Sequence, residues 1–175
     1  QVNVLTQHNN NARTGANLHE TSLNSQNVSA TSFGKLFEYK VTGQVYAQPL
    51  YASELDMGDK GIHNVVFVAT MHNEVYAFDA DDPLQALQPL WHINLGPSVP
   101  LPDAKIGIAC GVYQDILQEI GILSTPVIDL SSNTIYVVAK TKESGNYIDR
   151  IHAIDLSTGM EKFGGPSVVQ GTVTG

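Results

Sequence analysis

The residues in this chain with the most chemical potential are a cluster of acids, six histidines and one cysteine. Asp79, Asp81 and Asp82 fall within one turn, where carboxylates and backbone oxygens together could hold a calcium ion. They lack the spaced Asp/Asn/Gly loop of a recognised calcium motif, so a solvated acidic hairpin tip is the alternative. His8, His19, His63, His72, His92 and His152 are scattered, and no His-x-x-x-His or His–Glu spacing marks a metal site. Cys110 is the only cysteine, so it is either a free thiol or half of a bridge to something outside these residues. A glycine-rich phosphate loop and a Gly-x-Ser-x-Gly elbow are both missing, which leaves nucleotide and hydrolase chemistries without support. Asn27-Val28-Ser29 has the form of a glycosylation sequon.

Charge narrows the partners. Seventeen acidic residues against nine Lys plus Arg give a formal charge of −8 over 175 residues. Nucleic acid and anionic membrane surfaces both require a cationic face, so neither is an expected partner. A hydrophobic share of 42% permits a real core. No apolar run approaches the roughly 18 residues of a membrane-crossing helix. The sequence starts at Gln1 with neither an initiator Met nor a charged-then-apolar leader. A mature secreted protein and a trimmed fragment would both read this way, and the expected location is secreted or periplasmic.

The elements that must position these residues are strands. Alternation and β-branched or aromatic content mark Lys35–Val41, Gln44–Tyr51, Asn64–Thr70, Glu74–Ala80, Pro89–Leu95, Ile122–Leu130, Thr134–Lys140, Tyr147–Leu156 and Ser167–Gln170. Turn residues such as Met71-His72-Asn73, Ser131-Ser132-Asn133 and Ser144-Gly145-Asn146 separate them. Helical periodicity is confined to Val112–Ile120, one or two turns at most. The fold class is all-β. Residues 1–33, rich in Asn, Thr, Ser and Gln, read as an extended N-terminal arm. Residues 96–121, with Pro97, Pro100 and Pro102, read as a long connection of the kind that covers something or carries function.

An internal repeat sets the architecture. Gln48-Pro49-Leu50-Tyr51 matches Thr125-Pro126-Val127-Ile128, and Val66-Phe67-Val68-Ala69 matches Ile135-Tyr136-Val137-Val138. Val75-Tyr76-Ala77-Phe78-Asp79-Ala80 matches Ile151-His152-Ala153-Ile154-Asp155-Leu156, and Trp91 matches Phe163. Four-stranded units in tandem are the mark of a β-propeller, whose blades each have an apolar face that only a neighbour can bury. A two-sheet sandwich needs a similar number of strands but does not call for a repeat. On this reading residues 34–95 hold an outer strand and a first complete blade, 96–121 the inter-blade loop, and 122–175 a second blade and the start of the next connection.

Ala153-Ile154-Asp155-Leu156-Ser157-Thr158-Gly159-Met160-Glu161-Lys162-Phe163 resembles the tryptophan-docking motif Ala-x-Asp-x-x-Thr-Gly-x-x-x-Trp of the quinoprotein-type (PQQ-like repeat) propellers, with Phe163 in place of Trp. The earlier copy keeps Ala77, Asp79 and Trp91 but has a longer turn around Asp81-Asp82-Pro83. Asn11-x-Arg13, Asn27-Val28, Leu36-Phe37, Gly43-x-Val45 and Pro49 are similar to the start of the same proteins. In physical terms, the aromatic lies flat between blades, Ala leaves it room, and Asp with the Thr-Gly turn fixes the hairpin between the third and fourth strands.

The resemblance implies about two blades plus one extra outer strand of a ring of about eight blades. Two blades alone leave exposed flanks, so the expected partners are the remaining blades of the same polypeptide or further copies of this chain. It also implies that enzymes of this kind oxidise alcohols or sugars with pyrroloquinoline quinone and calcium on the ring axis. There, Gln44, Tyr46, Gln48, Ser124 and Thr125 are candidates to line the cofactor site, or to bind channel water as in propellers without a cofactor. The adjacent Cys-Cys pair of alcohol-oxidising members is missing, as is a haem-attachment motif. Whether the chain is an enzyme is open on these residues. Three functions follow: an extracytoplasmic binding or structural scaffold, the N-terminal part of a quinone-dependent dehydrogenase, or a self-assembling extracellular structural subunit.

Overall fold

The computed structural model describes residues 2–82, 88–103 and 115–171. Cys110 and residues 112–114 of the stretch 112–120 that reads as helical lie outside those residues. Its described part is not helical: Glu119–Ile120 is a strand. The described chain is all-β, with three antiparallel sheets of four, four and two strands and a single 3-10 turn at Gly58–Lys60.

The first sheet is a meander of β1 (Leu50–Asp56), β2 (Ile62–Ala69), β3 (Glu74–Asp79) and β4 (Trp91–Asn94). Strands β5 (Val99–Pro100) and β6 (Glu119–Ile120) form a small ribbon within the long connection. The second large sheet orders β7 (Val127–Asp129), β8 (Thr134–Glu143), β9 (Asn146–Asp155) and β10 (Ser167–Val168) in sequence. Each large sheet is therefore built from consecutive segments, and no strand of one enters the other. The two repeats also share one register. Leu50 faces Phe67, which faces Ala77; in the second sheet Val127 faces Tyr136, which faces Ala153.

Several boundaries differ from the sequence reading for identifiable reasons. Pairing begins at Leu50 and Val127, not at Gln44 and Ile122, because Pro49 and Pro126 have no N–H to give a ladder. Strand β1 then runs on past Tyr51 through an irregularity between Ala52 and Leu55, where Glu54 takes a φ of 52°. Residues 35–41 pair with no strand. They lie instead over the outer face of the first sheet, where Tyr39 stacks on Phe78 at 4.4 Å. The N-terminal stretch is an exposed arm only from about residue 10 to 36. Before that, Val4 pairs with Tyr51, and the carbonyl of Leu5 accepts from Ile128 N–H at 2.8 Å, so the chain bridges the first strands of both large sheets.

The core is one cluster shared between the two large sheets. Leu50, Ala52, Val65, Phe67, Ala69, Val75, Ala77 and Trp91 of the first meet Ile128, Ile135, Val137, Ala139, Ile154 and Leu156 of the second. Burial of this size is the main stabilising term. Polar clamps fix the register of the two sheets. Asn73, fully buried in the β2–β3 turn, donates to the carbonyls of Gly96 at 3.1 Å and Lys140 at 2.8 Å. Ser157 donates to the carbonyl of Asp56 at 2.6 Å. A smaller cluster of Met71, Val99, Ile116 and Ile120 seats the β5–β6 ribbon, with Tyr147 of β9 packed against it. Asp103 ties that connection to Lys142 and to the Tyr147 hydroxyl.

Candidate functional site

The five candidates for an axial site lie just before the first paired residues of the two large sheets. Repeat-equivalent residues of the two copies touch there: Gln48 N–H donates to Thr125 Oγ1 at 2.9 Å. The Gln48 side-chain oxygen accepts from His8 N–H at 2.9 Å, and the Tyr46 hydroxyl donates to the carbonyl of Asp115 at 2.9 Å. Ser124 is exposed. The Gln44 carbonyl accepts from Met71 N–H at 2.9 Å, while its side-chain Oε1 is buried without a hydrogen-bond partner. The structure thus brings Gln48 and Thr125 together and ties Gln44 and Tyr46 to separate neighbours. None of the five carries a charge, so they offer calcium no carboxylate and offer the three carboxylates of a pyrroloquinoline quinone no cation. These residues do not by themselves fit that cofactor pair.

The motif residues are placed by the turns between third and fourth strands. Asp155 Oδ1 accepts from the N–H groups of Ser157 at 3.1 Å and Thr158 at 3.0 Å, and from the Thr158 hydroxyl at 3.0 Å. Asp79 Oδ1 does the same for Asp81 N–H at 2.8 Å and Asp82 N–H at 3.2 Å. Each carboxylate closes an Asx-type turn at the same point of its repeat. Gly159, at a φ of 73°, lies beneath the indole of Trp91, and a Cβ there would come within 2.9 Å of the ring. Trp91 Nε1–H donates to the carbonyl of Leu156 at 2.7 Å, and the indole also leans on Phe67. The ring belongs to the first sheet and docks on the turn of the second. Ala77 pairs with Trp91 in the ladder, which leaves space on that face. Phe163 differs: it sits in a turn, not on a strand, at a φ of 56°, with 72% of its surface exposed.

The histidines have partners that their spacing in the sequence does not mark. Four of the six sit beside a carboxylate: His63 with Asp79 at 2.5 Å, His72 with Glu119 at 2.8 Å, His92 with Glu74, and His152 with Glu161 at 3.0 Å. The partners come from a neighbouring strand, from the long connection or, for Glu161, from the stretch after β9, so linear spacing carries no trace of them. Glu119 also accepts from the Ser98 hydroxyl, which puts the carboxylate and not the imidazole in the middle of that trio. This is the wrong order for a serine nucleophile activated by histidine. His92 stacks on Tyr76 at 4.5 Å.

Glu54, Ile62, His63, Asn64, Asp79, Asp81 and Asp82 line an open cleft of about 390 Å³ at one end of the first sheet. Its acids are largely committed. Asp79 is engaged by its own turn and by His63, and Asp81 accepts from Asn64 Nδ2 at 2.5 Å. Among the described residues no group of three or more His, Cys, Asp or Glu side chains is arranged to hold a metal ion.

The His63–Asp79 pair makes the fold sensitive to pH. The Lys60 carbonyl at the ring raises the His63 pKa above its ordinary value; burial opposes this and the Asp79 carboxylate adds to it. Burial alone would raise Asp79, but the N–H of Asp81, the His63 ring and the N–H of Asp82 together bring it below the usual carboxylate range. The His63 contribution is complete below about pH 6.5 and fades as pH rises through the folded value. The Asp79 contribution is present above about pH 4 and is lost as pH falls through its folded value. The pair therefore supports the fold most between about pH 4 and 6.5. In urea melts across pH 5–8, His63→Gln is expected to flatten the loss of stability on the alkaline side. An unchanged slope would show that this imidazole does not set it.

Compared with protein-family models, with curated proteins and with solved structures, the chain matches none.

Proposed function

We propose that this chain is a segment of an extracytoplasmic, quinoprotein-like β-propeller that serves as a binding or structural scaffold. One observation carries the reading: the two repeats pack head to tail, not face to like face. The first sheet presents its Phe67–Ala77–Trp91 row to the Ile135–Val137–Ile154 row of the second. In repeat terms these are different faces, since Phe67 is matched by Tyr136 and not by Ile135. Units that stack by unlike faces extend around an axis or along one and are not closed by a pair. A long connection between the two large sheets and a polar strip just before β1 and β7 fit a body that presents loops at one end.

A scaffold and a dehydrogenase part company on added cofactor. With pyrroloquinoline quinone and calcium, the scaffold reading expects neither a bound-quinone absorption band nor reduction of an electron-accepting dye in the presence of alcohols or sugars. A stoichiometric band with dye reduction would replace it with the dehydrogenase reading.

A further inference from the structure

We infer that Asn27, on the exposed N-terminal arm, is an N-glycosylation site that takes an oligosaccharide from a lipid-linked diphosphate donor. The inference rests on the extracytoplasmic part of the reading above and adds to it a modified residue away from both large sheets.

The sequence has one place for this chemistry. Of the chain's asparagines, only Asn27 is followed two residues later by Ser or Thr, as Asn27-Val28-Ser29. Such a triplet is an acceptor only where it is accessible and where its amide has a hydrogen to give.

The arm meets the first condition. Every residue from Asn10 to Leu36 is exposed, and Asn27 lies in a turn that pairs with no strand. Neighbours in the arm hold that turn. Asn27 Oδ1 accepts from Asn24 N–H at 2.8 Å, and the Asn27 carbonyl accepts from the Ser32 hydroxyl at 2.7 Å. The Ser29 hydroxyl, the other half of the acceptor triplet, lies among the hydroxyls of Thr31 at 3.1 Å and Ser32 at 2.8 Å. An enzyme can open this turn without disturbing either sheet.

The amide meets the second. A primary amide has two N–H bonds. One of those on Asn27 Nδ2 donates to the Ser22 carbonyl at 2.6 Å, and the other has no acceptor among the described residues. A sugar can therefore replace the second hydrogen with the turn left closed. The asparagines that build the fold are in the opposite state. Asn73 donates to the carbonyls of Gly96 and Lys140, Asn94 to the His72 carbonyl and Glu74, and Asn133 to Asp155 and Ser157. Each would lose a contact on substitution at nitrogen, and none has a hydroxyl residue two positions on.

The step is a substitution at the anomeric carbon of the sugar. Asn27 Nδ2 forms a bond to that carbon while the bond from the carbon to the donor's diphosphate breaks. The lipid diphosphate departs and takes up the displaced amide proton; nothing is oxidised or reduced. Leu23, Val28 and Phe33, close by in the chain, are all exposed, and a hydrated oligosaccharide beside them covers apolar surface that the sheets leave in water.

The test is mass spectrometry of the full-length protein isolated from fractions of its own cells and their medium. Trypsin cuts after Arg13 and Lys35 and releases residues 14–35 as one peptide carrying Asn27. The expected result is this peptide with an added sugar mass that fragmentation places on Asn27. Asn27→Gln and Ser29→Ala are expected to remove the added mass, and Ser29→Thr to keep it. All three variants are expected to keep the parent's urea midpoint, because both positions are exposed on the arm. Bare peptide from the secreted or periplasmic fraction overturns the inference and leaves the scaffold reading standing. Sugar on a Ser or Thr hydroxyl of the peptide, or added mass that survives Asn27→Gln, overturns it as well. Bare peptide from protein found only in the cytosol overturns both the inference and the extracytoplasmic reading.

Discussion

Trp91→Ala is expected to lower the unfolding free energy by about 3–5 kcal/mol, the range found when a large buried aromatic is truncated. The indole joins two sheets, so its loss opens a cavity at their contact and not within one of them. Trp91→Phe keeps most of the apolar area but leaves the Leu156 carbonyl without its donor, a change worth about 1–3 kcal/mol when the group stays buried. Trp91 is the only tryptophan, so the comparison is made by urea unfolding followed by far-ultraviolet circular dichroism, not by fluorescence. A loss below about 1 kcal/mol in Trp91→Ala would mean that the ring is not seated between the sheets.

Gly121→Ala is expected to be nearly as damaging, although it adds one methyl group. A Cβ at this position would lie 2.2 Å from the Met71 carbonyl oxygen and 2.5 Å from Asn73 Oδ1. Neither neighbour can swing away. Met71 is fully buried main chain, and Asn73 is held by the carbonyls of Gly96 and Lys140. Overpacking in well-filled sites costs about 1–3 kcal/mol, and movement of the Asn73 clamp puts this site at the upper end or beyond. Gly34→Ala is the control, since nothing lies within 4 Å of the added Cβ. Matched urea midpoints for the two variants would refute the close approach.

The repeat was legible because each copy carries the same local chemistry: a proline before the first ladder residue, a β-branched second strand, and Ala-x-Asp before a turn. Strands β2, β3, β8 and β9 fall within a few residues of the places their alternation marks. What the sequence concealed depends on contacts between distant residues. Residues 35–41 have the alternation of a strand, but pairing requires a neighbouring edge, and Tyr39 finds the ring of Phe78 instead. The histidine–carboxylate pairs join positions 9 to 47 residues apart along the chain. The bulge at Glu54 comes from a backbone twist that no residue type announces. Of the five axial candidates, only the Gln48–Thr125 contact unites the two copies, and repeat alignment alone pairs those two positions.

Because each large sheet is wound from neighbouring stretches of chain, its contacts close short loops and need no distant partner, the topology associated with quick formation. During synthesis the first four strands can therefore zip together while the later ones are still being made. The exception is the opening stretch at Leu5, whose hydrogen bond to Ile128 has to wait until the whole first sheet and the start of the second have been made. Residues made ahead of the first sheet are thus among the last to settle.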